Sequence, residues 1–145
     1  MLKNILVLID GTDNALKALR YAAELCTLSG GELIIMTAVQ TSIKAGAANS
    51  ALNQELLNQT NSPLVKEGAQ VFAAAKNIMD ERPIKATYLL EMGNPVEAAL
   101  KTINKFSCDT VVMGNRGFGT WESILKDSVS KKLAAASKVP LIIVK

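Results

Sequence analysis

The chain has 145 residues, 49% of them hydrophobic, and its 16 basic and 13 acidic residues give a formal net charge of +3. This length most simply corresponds to one domain, residues 1–145. The chain has no histidine and only two cysteines, which excludes histidine-dependent catalysis and disfavours a zinc site. Its few aromatic residues and mild charge give no sign of a nucleic-acid partner.

The first apolar run, residues 5–9, is too short for a signal-peptide core or a membrane span. We therefore expect a cytoplasmic protein with no membrane partner. The next segment, residues 13–29, has helical periodicity, with Leu16, Leu19, Ala23 and Cys26 on one stripe, and Gly30 and Gly31 are predicted to end this helix. We interpret Cys26 and Cys108 as reduced core residues.

The remaining elements follow the same alternation of apolar runs and helical segments. Apolar runs predict strands over residues 33–39, 84–90, 110–114 and 141–144, and helical patterns predict helices over 64–79, from Pro95 after an Asn94 N-cap, and from about Ser128 to Ala136. Runs that are apolar at every position are typical of parallel strands buried on both faces. The pattern predicts an α/β fold, a doubly wound open parallel sheet of five strands with helices on both faces.

Residues 41–62 form the one irregular piece. This stretch is polar, rich in alanine and asparagine, and too long for an ordinary connection. Because it follows the second strand, we expect a mobile loop that can fold over a binding site as a lid.

In such sheets, ligands bind beyond the carboxyl ends of the strands, where the strand order reverses. For the order 3-2-1-4-5, the first and fourth strands meet there, and Asp10-Gly11-Thr12 and Gly114-Asn115-Arg116-Gly117 follow them. Asp10 can accept hydrogen bonds from ribose hydroxyls or a ligand amine; the alternative is a turn or helix-capping aspartate. The two glycines permit close ligand approach and positive φ, although a bare turn explains them equally well.

The helix expected from Ser128 adds anion-binding character to this crevice. Its first amides and its dipole favour negative charge, and Ser128 and Ser130 add hydroxyl donors. Neither a Walker loop nor the dinucleotide fingerprint Gly-x-Gly-x2-Gly occurs after the first strand. The crevice therefore suggests an anionic ligand without naming one.

Three stretches, in this order and spacing, resemble the universal stress protein family: "KNILVLIDGTDNALKALRYAAELC", "EMGNPVEAALKTINKFSCDTVVMGNRGFG" and "SVSKKLAAASKVPLIIVK". The resemblance covers nearly the whole chain and is weakest over residues 41–62. It implies the strand order 3-2-1-4-5 and a small cytoplasmic protein, usually a dimer. One branch of the family binds ATP through Gly-x2-Gly-x9-Gly-Ser/Thr after the fourth strand, and the other lacks this motif and does not bind.

Most of the motif can be matched position by position. Gly114 and Gly117 match its first two glycines, and Ser128 matches its Ser/Thr. The resemblance implies that Asp10 contacts the nucleoside and that Val39 contacts adenine. The candidate nucleotide-binding residues are Asp10, Gly11, Thr12, Val39, Met113, Gly114, Arg116, Gly117, Asp127, Ser128, Val129 and Ser130.

Asp127 stands where the family motif has its third glycine, against the expected phosphates. A carboxylate at a helix N-terminus stabilises the helix by about 0.3–1 kcal/mol. Two unit charges about 4 Å apart, however, repel by about 4 kcal/mol at an effective dielectric of 20. Lys126, Arg116 or a magnesium ion can offset part of this repulsion. We therefore expect weakened binding of ATP or another adenine nucleotide, with magnesium as a candidate cofactor.

Two functions stay open. The first is a nucleotide-responsive stress or signalling dimer without fast turnover, since no histidine, general base or metal cluster converges on the crevice. The second is a nucleotide-free interaction module of the same fold, which Asp127 favours. An ATP-cleaving transferase is disfavoured, because its Ser-Gly-Gly-x-Asp-Ser type of loop does not match "DGTDN". We expect no catalytic residues.

The position of the last predicted strand indicates a partner for the chain. Residues 140–145 form a short apolar strand that lies on a sheet edge in the assumed order. An open apolar edge is a template for pairing with another strand. The resemblance implies a homodimer in which this strand pairs antiparallel across a two-fold axis.

Overall fold

A computed structural model describes residues 1–39, 63–115 and 129–145. Its strands are β1 (Asn4–Leu8), β2 (Glu32–Val39), β3 (Ala86–Met92), β4 (Thr110–Gly114) and β5 (Leu141–Val144). Its helices are α1 (Asp13–Ser29), α2 (Pro63–Met79), α3 (Pro95–Phe106) and α4 (Val129–Ala136). The predicted lid over residues 41–62 and the predicted helix start at Ser128 lie outside the described residues.

The five strands form one sheet in the order β3-β2-β1-β4-β5, and every neighbouring pair is parallel. The predicted doubly wound order is thereby confirmed. In the central strand, Val7 lies level with Ile35 of β2 and with Val112 of β4. The chain builds outward from β1 to β3 and then crosses back to β4. The strand order therefore reverses between β1 and β4.

Helices cover both faces of this sheet, as the sequence predicts. Because side chains alternate along a strand, β1 sends Ile5 and Val7 to one face and Leu6 and Leu8 to the other. Helices α1 and α2 pack on the first face, and α3 and α4 pack on the second. All four β1 side chains are at most 1% exposed. Truncating a buried leucine or isoleucine to alanine typically costs about 2–5 kcal/mol.

The helix ends use the residues that the sequence indicates. Asn94 caps α3 by accepting hydrogen bonds from the main-chain N–H groups of Val96 (2.8 Å) and Glu97 (3.3 Å). Pro95 then occupies the first turn, where a missing N–H costs nothing. Helix α1 ends at Gly30, whose φ of 71° is left-handed and suits glycine.

Three features of the structure differ from the sequence-based expectation. Strand β3 begins and ends two residues later than the predicted 84–90, because Ile84 is held in a turn by Arg82 O (2.9 Å) and pairing with β2 continues to Met92. Strand β5 lies at the edge of the sheet in the described chain, as predicted, and is half-exposed there, although its continuous apolar run is typical of strands buried on both faces. Leu16 is half-buried, whereas the stripe that packs on the sheet centres on Leu19 and its small neighbours.

The two cysteines are free and buried, as predicted, with Cys26 2% and Cys108 4% exposed. Burial, with a smaller contribution from the negative charge of Asp109, raises the pKa of each thiol to about 11. Both are therefore protonated at neutral pH and pack as small apolar groups.

In residues 1–39, 63–115 and 129–145, no helix is both long and apolar enough to cross a bilayer.

Candidate functional site

The crevice predicted at the switch point lies between the carboxyl ends of β1 and β4. Leu8 pairs with Met36 of β2, and Val7 pairs with Val112 of β4. Continuing these registers by two and three residues places Asp10 level with Ala38 and Asn115. The carboxylate that the sequence singled out therefore follows the central strand, at the edge of the sheet where ligands of this fold class bind.

The turn after β1 is organised around Asp10. One carboxylate oxygen, Oδ1, accepts hydrogen bonds from the Thr12 main-chain N–H (3.0 Å) and from the Thr12 hydroxyl (2.6 Å). Gly11, between them, has a φ of 85°, a left-handed conformation that residues with a side chain rarely adopt. Asp10 is half-buried as a residue, and the Oδ2 atom of its carboxylate is shielded from solvent.

Thr12 also connects this turn to the start of α1. Its Oγ1 accepts a hydrogen bond from the main-chain N–H of Ala15 (3.3 Å), which makes Thr12 the N-cap of the helix. The turn aspartate considered from the sequence is therefore observed. This structural role is compatible with a ligand-binding role, because each oxygen of a carboxylate can accept more than one hydrogen bond.

Gly114 allows β4 and α1 to approach each other closely. A Cβ added at Gly114 would lie 2.8 Å from Asn14 O and 3.2 Å from Ala15 N, both in the main chain of the first turn of α1. Its φ is not in the left-handed region, unlike that of Gly11. The first motif glycine is therefore required here by contact with the helix backbone and not by positive φ.

This contact leads to a prediction for the protein without ligand. The substitution Gly114→Ala is expected to lower the free energy of unfolding by about 1–3 kcal/mol, the usual range for overpacking a tight site. Chemical denaturation without nucleotide measures this change. Gly30→Ala is the control, since its Cβ meets nothing within 4 Å and only its left-handed φ opposes it. Unchanged stability of Gly114→Ala would contradict the steric role.

The other described candidates lie at the carboxyl edge or at the start of α4. Val39 ends β2 and is 5% exposed, and its carbonyl accepts a hydrogen bond from Gly93 N–H (3.0 Å). Met113 is 1% exposed and packs in the core between the sheet and α3 and α4. Val129 is buried in the same core, and Ser130 is half-buried. Met113 and Val129 therefore face the core, which leaves their main chains as the parts nearest a ligand.

Four of the predicted site residues cannot be placed. Arg116, Gly117, Asp127 and Ser128 lie outside the described residues. The structure therefore describes the residues that are predicted to contact the nucleoside, whereas most of those predicted to contact phosphate lie outside the described residues, and both roles stay predictions. In the described part of the chain, no group of three or more cysteine, aspartate and glutamate side chains is placed to hold a metal ion.

Sequence reasoning did not identify Gly93 as part of this edge. It follows β3 with a φ of 103°, and its N–H extends the pairing of β3 with β2 to Val39. The available signal was the "GNP" triplet, a glycine directly before a helix N-cap. The sequence contains no comparable signal for the contact between Gly114 and Asn14, which are about 100 residues apart in the chain.

A cavity of about 350 Å³ lies at the opposite, amino-terminal edge of the sheet, between the end of α1 and the segment before β3. Its lining includes Cys26, Pro83 and Ile84, and the Lys85 Nζ–Glu32 Oε1 ion pair (2.8 Å) stands at its border. Burial raises the pKa of the Cys26 thiol to about 11, so this thiol is protonated at neutral pH, and the ion pair is exposed.

Comparisons with known proteins agree with the observed fold and identify a matching protein family. The model of the universal stress protein family matches residues 1–145. Universal stress protein YxiE of Bacillus subtilis is 25% identical over 148 residues, which cover 100% of both chains. A universal stress protein solved in complex with cAMP is 26% identical, with a TM-score of 0.66 over 99% of this chain and 97% of its own.

A second solved structure, the universal stress protein from Archaeoglobus fulgidus in complex with dAMP, has a TM-score of 0.69 and covers 100% of both chains. Its identity to this chain is 19%, so the similarity shows the fold alone.

Proposed function

The chain belongs to the universal stress protein family, and from this premise we propose that it binds ATP or a related adenine nucleotide in the crevice between β1 and β4. It acts as a nucleotide-responsive stress or signalling protein of the cytoplasm, without fast turnover. The complex of a 26% identical relative with cAMP supports an adenine nucleotide as the ligand. The observation that carries the proposal is the fixed Asp10 carboxylate at the switch point.

The described residues fit the nucleoside end of such a ligand. The Asp10 carboxylate is an acceptor, so it pairs with ribose hydroxyls or an exocyclic amine and repels a phosphate. Val39, which ends β2 at the same edge of the sheet and is 5% exposed, is the apolar side chain that we propose to lie beside the base. The nucleoside therefore lies beside β1 and β2, and the phosphates extend toward residues 116–128.

The phosphate end determines the affinity. Gly114, Gly117 and Ser128 match the ATP-binding motif of the family, whereas Asp127 replaces its third glycine. We propose that Asp127 weakens binding in proportion to the negative charge of the ligand. Magnesium bound to the phosphates would offset part of this repulsion.

The experiment is calorimetric titration with adenosine, AMP and ATP. Asp10→Ala is expected to weaken adenosine binding by about 10–100-fold, which corresponds to the loss of a hydrogen bond to a charged group. Asp13→Ala is the matched control, because Asp13 is an exposed carboxylate in the first turn of α1. Equal losses in both variants would indicate a long-range charge effect, and no binding to the wild-type protein would disprove the proposal.

The nucleotide-free interaction module remains the second candidate. Asp127 is the observation that favours it, since a motif without its third glycine approaches the non-binding branch of the family. In that case neither adenosine nor ATP binds to the wild-type protein, and Asp127→Gly restores neither.

We further propose a homodimer through residues 140–145. β5 lies at the end of the strand order, and its Ile143 is 41% exposed. The exposed apolar side chain of Ile143 supports a partner at this edge, and an identical β5 is a strand that can pair with it.

A further inference from the structure

We propose that Thr12 is a positioning residue, which holds the Asp10 carboxylate in one orientation for the nucleotide and does not itself bind phosphate. This inference rests on the proposed function for the identity of the ligand. Thr12 is one of the candidate nucleotide-binding residues predicted from the sequence, and this inference gives it an indirect role in binding.

The geometry of the Asp10 carboxylate supports this role. Two donors of Thr12, its main-chain N–H (3.0 Å) and its hydroxyl (2.6 Å), converge on the same oxygen, Oδ1. A hydroxyl bond of this length to a carboxylate belongs to the short, charge-assisted class. Two donors on one oxygen fix the rotation of the carboxylate, which directs Oδ2 independently of any ligand.

The hydroxyl of Thr12 can donate only one hydrogen bond. A threonine hydroxyl has one proton and two acceptor lone pairs. In Thr12, the hydroxyl oxygen lies 2.6 Å from Asp10 Oδ1, the distance of a hydroxyl that donates to a carboxylate, and it accepts from the Ala15 main-chain N–H (3.3 Å). Phosphate oxygens need a donor, and the one proton of this hydroxyl is already used. Thr12 therefore acts on the ligand through Asp10.

This arrangement depends on the backbone conformation of the turn Asp10-Gly11-Thr12. The left-handed Gly11, with a φ of 85°, turns the chain so that Thr12 folds back on Asp10. Because Thr12 is also the N-cap of α1, the orientation of Asp10 is tied to the start of a 17-residue helix. The carboxylate is therefore held in place before the nucleotide arrives, which lowers the cost of ordering it on binding.

The first test separates positioning from capping by measuring adenosine affinity and thermal stability together. Thr12→Val removes the hydroxyl at similar volume and is expected to weaken adenosine binding by about 10-fold. Thr12→Ser should restore both affinity and stability. Thr12→Gly should stay close to wild-type stability, because glycine is a tolerated N-cap, yet bind adenosine as weakly as Thr12→Val. Wild-type affinity of Thr12→Gly or Thr12→Val would overturn the proposal.

A double-mutant cycle with Asp10→Ala tests whether Thr12 acts through Asp10. In the Asp10→Ala background, Thr12→Val should cause no further loss of adenosine affinity. An equal additional loss would show that Thr12 contacts the nucleoside directly, and would overturn the positioning role.

A ligand-free measurement distinguishes failure of this inference from failure of the proposed function. Crystal structures of the wild-type protein and of Thr12→Val, both without nucleotide, should show Asp10 in one orientation in the first and turned or in several orientations in the second. The same single orientation in both would overturn the positioning role. If the orientations differ but no nucleotide binds, the proposed function fails and Thr12 positions Asp10 for another ligand.

Discussion

Replacing Asp127 with glycine is expected to tighten ATP binding by about one to three orders of magnitude. The upper end follows from the repulsion of about 4 kcal/mol between two unit charges about 4 Å apart at an effective dielectric of 20. The lower end allows for screening by salt and by neighbouring cations such as Lys126. Adenosine, which has no phosphate, should bind equally to both proteins. The variant should also be slightly less stable, because it loses a favourable charge at a helix N-terminus.

Calorimetry with ATP and adenosine, with and without magnesium, measures this effect. Asp127→Asn is the matched control, because it removes the charge and keeps the size of the side chain. It should recover most of the affinity if charge dominates, and little if the Cβ itself blocks the phosphate. Equal ATP affinity of wild type and Asp127→Gly would mean that Asp127 points away from the phosphates. Tighter binding by the wild type, only with magnesium, would mean that the carboxylate helps to hold the metal.

The substitution Ile143→Lys is expected to convert the proposed dimer into monomers. Ile143 is 41% exposed in the single chain, so a lysine there can extend its charged end into water and leave the fold intact. In a strand paired across a two-fold axis, the same lysine would be desolvated close to its own copy, which opposes association. Sedimentation of both proteins at matched concentration measures the change.

The control for this experiment is Asn104→Lys, which adds the same charge at an exposed position of α3. It should sediment like the wild type. A dimeric Ile143→Lys protein with unchanged sedimentation would remove β5 from the interface. Loss of the dimer in both variants would point to a general effect of charge.

Much of the fold could be predicted because its strongest signals are local. Continuous apolar runs marked the buried strands, and Asn94-Pro95 and Gly30 marked helix ends through their own backbone preferences. The order of the strands was specified only with the family resemblance. The bounds of β3 were misplaced, because pairing with β2 extends the strand past the apolar run to Met92.

Less of the candidate site than of the fold could be predicted from the sequence. Asp10, Thr12 and Gly114 were identified as candidates, but their contacts required the three-dimensional structure. Gly114 appeared as a phosphate-binding glycine, and the structure gives it a steric reason in the main chain of Asn14. Thr12 was predicted as a ligand contact, which stays a prediction, and the structure adds the hydrogen bond that its hydroxyl donates to Asp10. Both contacts depend on how α1 meets the sheet, which residue types alone do not determine.

The central claim is that an adenine nucleotide binds at the switch point between β1 and β4. A crystal structure of the protein grown with saturating AMP tests it most directly. The nucleoside should lie within hydrogen-bonding distance of the Asp10 carboxylate, with adenine beside Val39 and the phosphate directed toward residues 116–128. Nucleotide bound elsewhere, such as in the cavity beside Cys26, or no nucleotide in the crevice at saturation, would contradict the claim.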